Sequence, residues 1–194
     1  MFALKSIEYI AVISGMIHVF LLTRGKVAAW PFGLLSVGLY ISIFLQNKLY
    51  SDTLLHIVYV ILNIYGWWNW GRSRNNKQEV DIERMQVSQQ FFWSILIIAG
   101  FLVWGYGVQK NTDASFPYGD AFTTVASLVA QYLLAKRKLE NWIIWIIVDI
   151  VAIQIYFLKG LYPTSALYGV YLILSIWGYI SWQKQWKKYN LSIS

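Results

Sequence analysis

Residues 141–158 read NWIIWIIVDIVAIQIYFL, and only Asp149 among them carries a charge. A helix of about 20 mostly apolar residues (range roughly 17–25) is long enough to cross the hydrocarbon core of a bilayer. The stretch therefore predicts a membrane-spanning helix with one carboxylate at its middle. Because a charged side chain at the bilayer centre costs roughly 2.5–3.5 kcal/mol on insertion scales, such a residue marks a functional position by default.

The composition of the whole chain agrees with a membrane protein. Of the 194 residues, 58% are hydrophobic and 13% are charged, against roughly 45–50% and about 25% in ordinary soluble domains. The chain has no Cys and only two His, which excludes disulfides, thiol chemistry and a His-rich zinc site. Since the motifs G-x-x-x-x-G-K-[ST], H-E-x-x-H and G-x-S-x-G are also missing, we expect neither an enzyme nor a bound cofactor.

Seven apolar stretches predict an all-α integral membrane fold with seven transmembrane helices. The stretches are Ser6–Leu22, Val27–Gln46, Tyr50–Trp70, Phe91–Gln109, Tyr118–Ala135, Asn141–Leu158 and Leu161–Trp182. The longest connection between them, Gly71–Gln90, is polar and is predicted to be a solvated connector.

The basic residues predict how the chain is oriented. Twelve of the 16 Lys and Arg residues fall in the loops after odd-numbered spans or in the C-terminal tail, and basic loops favour the cytoplasmic side. We therefore expect the N-terminus outside and the C-terminus in the cytoplasm. Loops of this kind also account for the net charge of +7 without nucleic-acid binding.

The chain also contains an internal repeat, because residues 21–70 align without gaps with residues 133–182 at an offset of 112. The matches least explained by chance are Trp30 with Trp142, Tyr50 with Tyr162, Tyr59 with Tyr171, Gly66 with Gly178 and Trp70 with Trp182. A single span between two three-helix units keeps the units parallel, which predicts a 3+1+3 arrangement. SWEET transporters share this arrangement, and such proteins bind substrate near the midplane at the repeat interface. A duplicated bundle without a pore is the structural alternative.

The repeat predicts the organisation of the chain. Residues 1–70 form the first three-helix repeat, residues 71–112 a cytoplasmic connector with the linker helix, residues 113–183 the second repeat, and residues 184–194 a cytoplasmic tail.

The sixth span presents two indoles and one carboxylate on one helix face. Trp142, Trp145 and Asp149 have the spacing i, i+3, i+7, which places them on one face at 3.6 residues per turn. Indole rings attract cations, and the carboxylate supplies a counter-charge, so the face suits a flat cationic heteroaromatic ring. A structural Asp149 that joins helices, and a Trp142 in the interfacial aromatic belt, are the alternatives.

The third and seventh spans carry polar residues at the same spacing. These residues are His56, Tyr59 and Asn63 and their repeat partners Tyr168, Tyr171 and Ser175. The two faces predict a polar cavity that holds ribose-like hydroxyl groups, and Gln154 of the sixth span is a further candidate. Interhelical hydrogen bonding, worth about 0.6–2 kcal/mol in membranes, is the alternative.

Several segments of the chain resemble the bacterial nicotinamide riboside transporter family, PnuC. They are Tyr50-Ser51-Asp52, IYGWWNW at residues 64–70, ENWIIW at residues 140–145 followed by Asp149, and KGLY at residues 159–162. The resemblance implies that Trp142, Trp145 and Asp149 match the family's Trp/Trp/acid-or-amide substrate pattern. It further implies a homotrimer in the inner membrane, transport by facilitated diffusion, and a separate cytoplasmic kinase that traps the substrate.

The resemblance implies a water-soluble vitamin as the substrate. Nicotinamide riboside is the leading expectation and thiamine the alternative, because both carry a cationic heteroaromatic ring; riboflavin is larger and uncharged. Membrane lipid is a further expected partner. A membrane scaffold or assembly subunit is the alternative of another class, and an ion channel is a third.

Overall fold

The computed structural model describes residues 2–46, 50–72 and 81–191, and each predicted span corresponds to a helix within them. The described residues form α1 (Phe2–Thr23), α2 (Ala29–Gln46), α3 (Tyr50–Arg72), α4 (Val87–Asn111), α5 (Pro117–Ala135), α6 (Asn141–Leu158) and α7 (Tyr162–Leu191). They contain no strand, only an isolated bridge between Glu83 and Lys138. The all-α class is therefore confirmed, and α6 has the predicted bounds.

Five of the helices that the structure describes, namely α1, α2, α4, α6 and α7, are long and apolar enough to cross a membrane. The other two, α3 and α5, contain more polar side chains, including Asp52, His56 and Asn63 in α3 and Asp120 and Gln131 in α5. With 23 and 19 residues, they are about 35 and 29 Å long. Their lengths therefore still match a hydrocarbon core of about 30 Å.

The helices are grouped in two compact units. The first unit comprises Met1–Asp81 and Ala135–Arg137, and the second unit comprises Ile82–Leu134 and Lys138–Ser194. In the first unit α2 packs against α1 and α3, and in the second α6 packs against α7. The linker helix α4 groups with α5, α6 and α7, and its Gly100 faces Val125 of α5. The 3+1+3 division and its predicted boundaries stay predictions.

A helix-ending turn occurs in the same form after α1, α5 and α6, and the first two of these turns are 112 residues apart. After α1, Gly25 has φ 63° and the Lys26 N–H donates to the Leu21 carbonyl at 3.1 Å. After α5, Arg137 has φ 61° and the Lys138 N–H donates to the Leu133 carbonyl at 3.0 Å. A residue with positive φ followed by this six-residue hydrogen bond is a Schellman ending. The matching turns agree with a duplicated unit.

The helix pairs α2–α3 and α6–α7 meet in the same antiparallel register. Each helix pair has an aromatic ring pair near both of its ends. In α2–α3 the ring centroids of Trp30 and Trp70 are 5.1 Å apart, and those of Phe44 and His56 are 4.7 Å apart. In α6–α7 the centroids of Trp142 and Trp182 are 5.5 Å apart, and those of Tyr156 and Tyr168 are 5.2 Å apart. Each pair in the second unit lies at the repeat positions of a pair in the first. A Cβ at Gly66 would collide with Trp30, and one at Gly178 with Trp142, so both glycines let an indole lie on the neighbouring helix.

The connector differs from its prediction. Of the expected solvated connector Gly71–Gln90, residues 73–80 lie outside the described residues, but Ile82 and Met85 are buried. The Leu139 N–H donates to the Glu83 carbonyl at 2.8 Å, and the Met85 N–H donates to Glu140 Oε2 at 3.0 Å. A fully solvated connector is therefore wrong, because two of its apolar side chains are buried and its backbone is hydrogen-bonded to the α5–α6 loop.

The C-terminal region differs as well. The predicted tail begins at residue 184, whereas α7 continues as one helix to Leu191. The sequence from Gln183 to Leu191 contains no Gly or Pro, so nothing in it breaks the helix where the apolar stretch ends.

Candidate functional site

Asp149 lies at the centre of α6 and is bonded to α7. Its side chain is buried, with 2% of the residue exposed, and the hydroxyl of Ser175 donates to Oδ2 at 2.9 Å. Ser175 is itself buried. The two residues lie halfway between the ring pairs of the α6–α7 register, seven residues from each pair. The structure thus joins two of the predicted site residues in one hydrogen bond.

The two tryptophans of α6 have different surroundings. Trp142 is buried against Gly178 and edge-on to Trp182, and its Nε1 has no hydrogen-bond partner in the part of the chain that the structure describes. Trp145 is half-buried and packs beside Val148 on the apolar cluster formed with α4 and α5. Trp142 is thus part of the α6–α7 packing, and substrate contact by either indole stays a prediction.

The half of the α6–α7 pair next to the loop between these helices is lined by tyrosines. Tyr168 stacks on Tyr156 with an angle of 21° between the rings, and it meets Tyr171 edge-on at 6.0 Å. Tyr168 and Tyr171 are predicted site residues, and both are half-buried. Tyr156 was not predicted, although it lies seven residues beyond Asp149 and so continues the stripe of Trp142 and Asp149.

In the first unit, the predicted residues of α3 form one connected stripe. His56 Nδ1 lies 2.9 Å from the Asp52 carbonyl, and the imidazole meets the ring of Tyr59 edge-on at 5.6 Å. Asn63 Nδ2 donates to the Tyr59 carbonyl at 2.8 Å. Asn63 is 2% exposed, and its Oδ1 has no hydrogen-bond partner in the described part of the chain. The Oδ1 of Asn63 is therefore a buried acceptor to which a ligand can donate a hydrogen bond.

His18 and Gly33 complete the surroundings of Asn63. His18 Nδ1 lies 2.8 Å from the Ala29 carbonyl and so donates to it across α1 and α2. A Cβ at Gly33 would collide with both the His18 ring and Asn63. The sequence alone did not connect His18 with Asn63. The glycine in α2 opposite a polar residue in α3 was the available signal.

Gln154 stands apart from the other candidates. It is exposed on α6, and it lies about 140° around the helix from Asp149, since successive residues are about 100° apart. The structure does not bring its side chain to the Asp149–Ser175 bond, and its place in a substrate site stays a prediction. No group of three or more His, Asp or Glu side chains that could hold a metal ion occurs in the described ranges.

The fold and these residues define a class of protein. Helices long enough to span a membrane carry a buried carboxylate, a buried amide and half-buried aromatic rings at mid-helix positions, a set suited to recognising a small molecule in a membrane protein. Residues 5–184 match the family described as nicotinamide mononucleotide transporter. The chain belongs to this family and is a multi-pass membrane transporter rather than an enzyme.

Curated relatives match most of this chain and between 73% and 85% of their own length. The nicotinamide riboside transporter PnuC of Escherichia coli is 26% identical over 92% of this chain and 85% of its own length. The protein of the same name from Neisseria mucosa is 29% identical over 93% of this chain and 73% of its own length. The riboflavin/roseoflavin transporter RibM of Streptomyces davaonensis is 25% identical over 88% of this chain and 81% of its own length.

A solved structure agrees with the family assignment. The crystal structure of the vitamin B3 transporter PnuC superposes with a TM-score of 0.78 at 28% identity, and the match covers 95% of this chain and 83% of that chain. The resemblance seen in the sequence is therefore confirmed at the level of family and fold.

Proposed function

We propose that this protein carries nicotinamide riboside across the cytoplasmic membrane by facilitated diffusion. The observation that carries the proposal is the buried Asp149–Ser175 bond at the centre of α6 and α7, in a chain whose PnuC relatives are named for this substrate. A carboxylate at that depth is energetically costly and marks a functional position by default. Here it provides the counter-charge to a cationic pyridinium ring.

The residues around the proposed site match the parts of nicotinamide riboside. Asp149 provides the counter-charge to the pyridinium, and an aromatic ring adds cation–π attraction of about 0.5–2 kcal/mol. In the first unit, the buried Oδ1 of Asn63 has no hydrogen-bond partner among the described residues, and such an acceptor suits a ribose hydroxyl or a carboxamide. Trp142, Trp145, His56, Tyr59, Tyr168, Tyr171 and Gln154 complete the proposed set of binding residues.

Other parts of the proposal come from the resemblance and from the charge pattern. We propose a homotrimer with the N-terminus outside and the C-terminus in the cytoplasm, and a separate kinase that phosphorylates and so retains the imported nucleoside. Thiamine also has a cationic ring, but the relatives named above are called nicotinamide riboside and riboflavin transporters and do not favour it.

Calorimetric titration of the detergent-purified protein with nicotinamide riboside, thiamine and riboflavin tests the substrate. We expect saturable binding of nicotinamide riboside, weakened about 30-fold or more in Asp149→Asn, since losing one member of a buried charge pair costs roughly 2–5 kcal/mol. The matched control is Asp120→Asn, which makes the same change in a carboxylate paired with Lys159 at 2.9 Å on the surface. We expect this control to bind like the wild type.

Two results would contradict the proposal. Equal affinity of wild type and Asp149→Asn removes the carboxylate from the site, and binding of thiamine or riboflavin alone assigns another vitamin. In proteoliposomes that contain no kinase, uptake should stop when the inner and outer concentrations are equal. Accumulation driven by a pH gradient would replace facilitated diffusion with proton coupling.

A further inference from the structure

The second unit has an exposed basic surface at the end of α7 that the proposed transport site does not use. With 30 residues, α7 is about 45 Å long, whereas the hydrocarbon core of a bilayer is about 30 Å thick. About 20 residues from Tyr162 onward cross this core. The helix therefore emerges near Trp182, and the part up to Leu191 lies at the level of the lipid headgroups.

The contacts of the C-terminal end of α7 show which side of the helix is exposed. Trp186 is half-buried, and the guanidinium of Arg84 lies 5.1 Å from the centre of its ring. Lys184 and Lys188 are two residues before and after Trp186, so they point about 160° away from it. Both are exposed, as is Lys187 beside them. The side of α7 opposite Arg84 therefore consists of lysines.

These lysines have no anionic partner in the described part of the chain. No ion pair with a described carboxylate involves Lys184, Lys187 or Lys188, and the sequence contains no Asp or Glu after Asp149. Arg84, in contrast, lies 3.6 Å from Glu140. Leu191, one turn beyond Lys187 and Lys188, is 78% exposed. We call Lys184, Lys187, Lys188 and Leu191 the α7 basic face.

We propose that the α7 basic face binds the headgroups of anionic phospholipids in the leaflet where α7 ends. Each juxtamembrane lysine strengthens binding to an anionic surface by about fivefold. Lysine stems also lie along apolar lipid while their ammonium groups reach phosphate, and an exposed leucine at the interface adds apolar contact. The proposed orientation makes this the cytoplasmic leaflet, and the inference depends on the proposed function in no other respect.

The test compares phosphatidylglycerol with phosphatidylcholine, each added to the full-length protein in a nonionic detergent. The readout is the midpoint of thermal unfolding as a function of lipid concentration. The variant is Lys184→Gln/Lys188→Gln, and the matched control Arg72→Gln/Lys110→Gln removes the same charge from exposed residues of α3 and α4. Lys184→Arg/Lys188→Arg restores the charge with another side chain.

We expect phosphatidylglycerol to raise the midpoint more than phosphatidylcholine in the wild type, the control and the Arg variant. In Lys184→Gln/Lys188→Gln, the half-maximal phosphatidylglycerol concentration should rise about 25-fold, as expected for two lysines. High salt should weaken the effect, because it screens exposed charges.

Three results would overturn the proposal: equal effects of the two lipids, an unchanged response in the Gln variant, or the same loss in the control. Any of them would instead favour an acidic protein as the partner of this face. If the Gln variant does not fold, the Arg variant and the salt dependence still decide. Binding of nicotinamide riboside, measured on the same samples, tests the proposed function separately, since neither Gln variant alters a proposed binding residue.

Discussion

The hydrogen bond between Ser175 and Asp149 joins α6 and α7 at their centres. A carboxylate buried between two helices loses its hydration, and a hydroxyl donor from the facing helix replaces part of it. Such a bond has two consequences. It stabilises the α6–α7 pair, and it fixes the direction in which the carboxylate points, as its proposed role as counter-charge to a pyridinium ring requires.

The energetic part of this interpretation predicts a difference between two serines of α7. Ser175→Ala leaves a buried carboxylate without its donor, whereas Ser165→Ala removes a bond from a hydroxyl to the neutral Ile153 carbonyl at 3.0 Å. Hydrogen bonds to charged groups contribute about 1.5–3 kcal/mol and neutral ones about 0.5–1.5 kcal/mol. We therefore expect Ser175→Ala to lower the unfolding midpoint in detergent more than Ser165→Ala does.

The control for that prediction is Ser175→Ala introduced into the Asp149→Asn variant. With the carboxylate replaced by an amide, the extra cost of Ser175→Ala should shrink to that of a neutral bond. Equal losses for Ser175→Ala and Ser165→Ala in the wild-type background would contradict a carboxylate that depends on Ser175.

Individual site residues were partly predictable from the sequence. Asp149 stood out because a single charge interrupts an apolar stretch, and that reasoning needs no tertiary information. The partnership of Asp149 with Ser175 could not be predicted, because it depends on the register of α6 against α7. The same register places Tyr156 opposite Tyr168.

At the scale of helices, the predictions worked best where apolar stretches end in turns. Within the residues that the structure describes, each of the seven predicted apolar stretches corresponds to a helix. The prediction was wrong at the connector, since Ile82 and Met85 looked like minor residues of a polar segment. Met85 packs with residues of α4, α5 and α6 that lie far from it in the sequence, which a local pattern cannot reveal.

The Schellman turns after α1 and α5 give a prediction about backbone strain. Gly25 adopts positive φ without cost, whereas Arg137 holds a Cβ in the same conformation, which is disfavoured by about 1–2 kcal/mol. We expect Gly25→Ala to destabilise the protein by about 1 kcal/mol. Arg137→Gly should be more stable than Arg137→Ala by a similar amount, because both lack the arginine side chain and only one keeps the Cβ.

Unfolding midpoints in detergent measure this effect, and about 1 kcal/mol corresponds to roughly 2–4 °C in a protein of this size. The comparison of Arg137→Gly with Arg137→Ala cancels every contact of the arginine side chain. If these two variants unfold at the same temperature, the positive φ at residue 137 carries no cost and the interpretation fails.

At the scale of the molecule, the helix pairs α2–α3 and α6–α7 have matching ring pairs at their ends but different residues at their centres. Ring pairs occupy corresponding positions at both ends of α2–α3 and α6–α7. The central positions hold Val37 and Asn63 in the first unit but Asp149 and Ser175 in the second. A packing role explains why the ring pairs at the ends match between the units, whereas the hydrogen-bonded pair Asp149–Ser175 has no polar pair at the corresponding positions of the first unit.

The orientation of the chain is open to a direct test because the protein has no cysteine. Ser88 at the start of α4 and Ser115 between α4 and α5 are both exposed. Twelve of the 16 basic residues follow odd-numbered spans or lie in the C-terminal region, which predicts that these segments are cytoplasmic. A membrane-impermeant maleimide should therefore label Ser115→Cys in intact spheroplasts and label Ser88→Cys only after permeabilisation. The unmodified protein, which has no thiol, reports the background. Labelling of Ser88→Cys alone in intact spheroplasts would invert the topology, and it would move the α7 basic face to the outer leaflet.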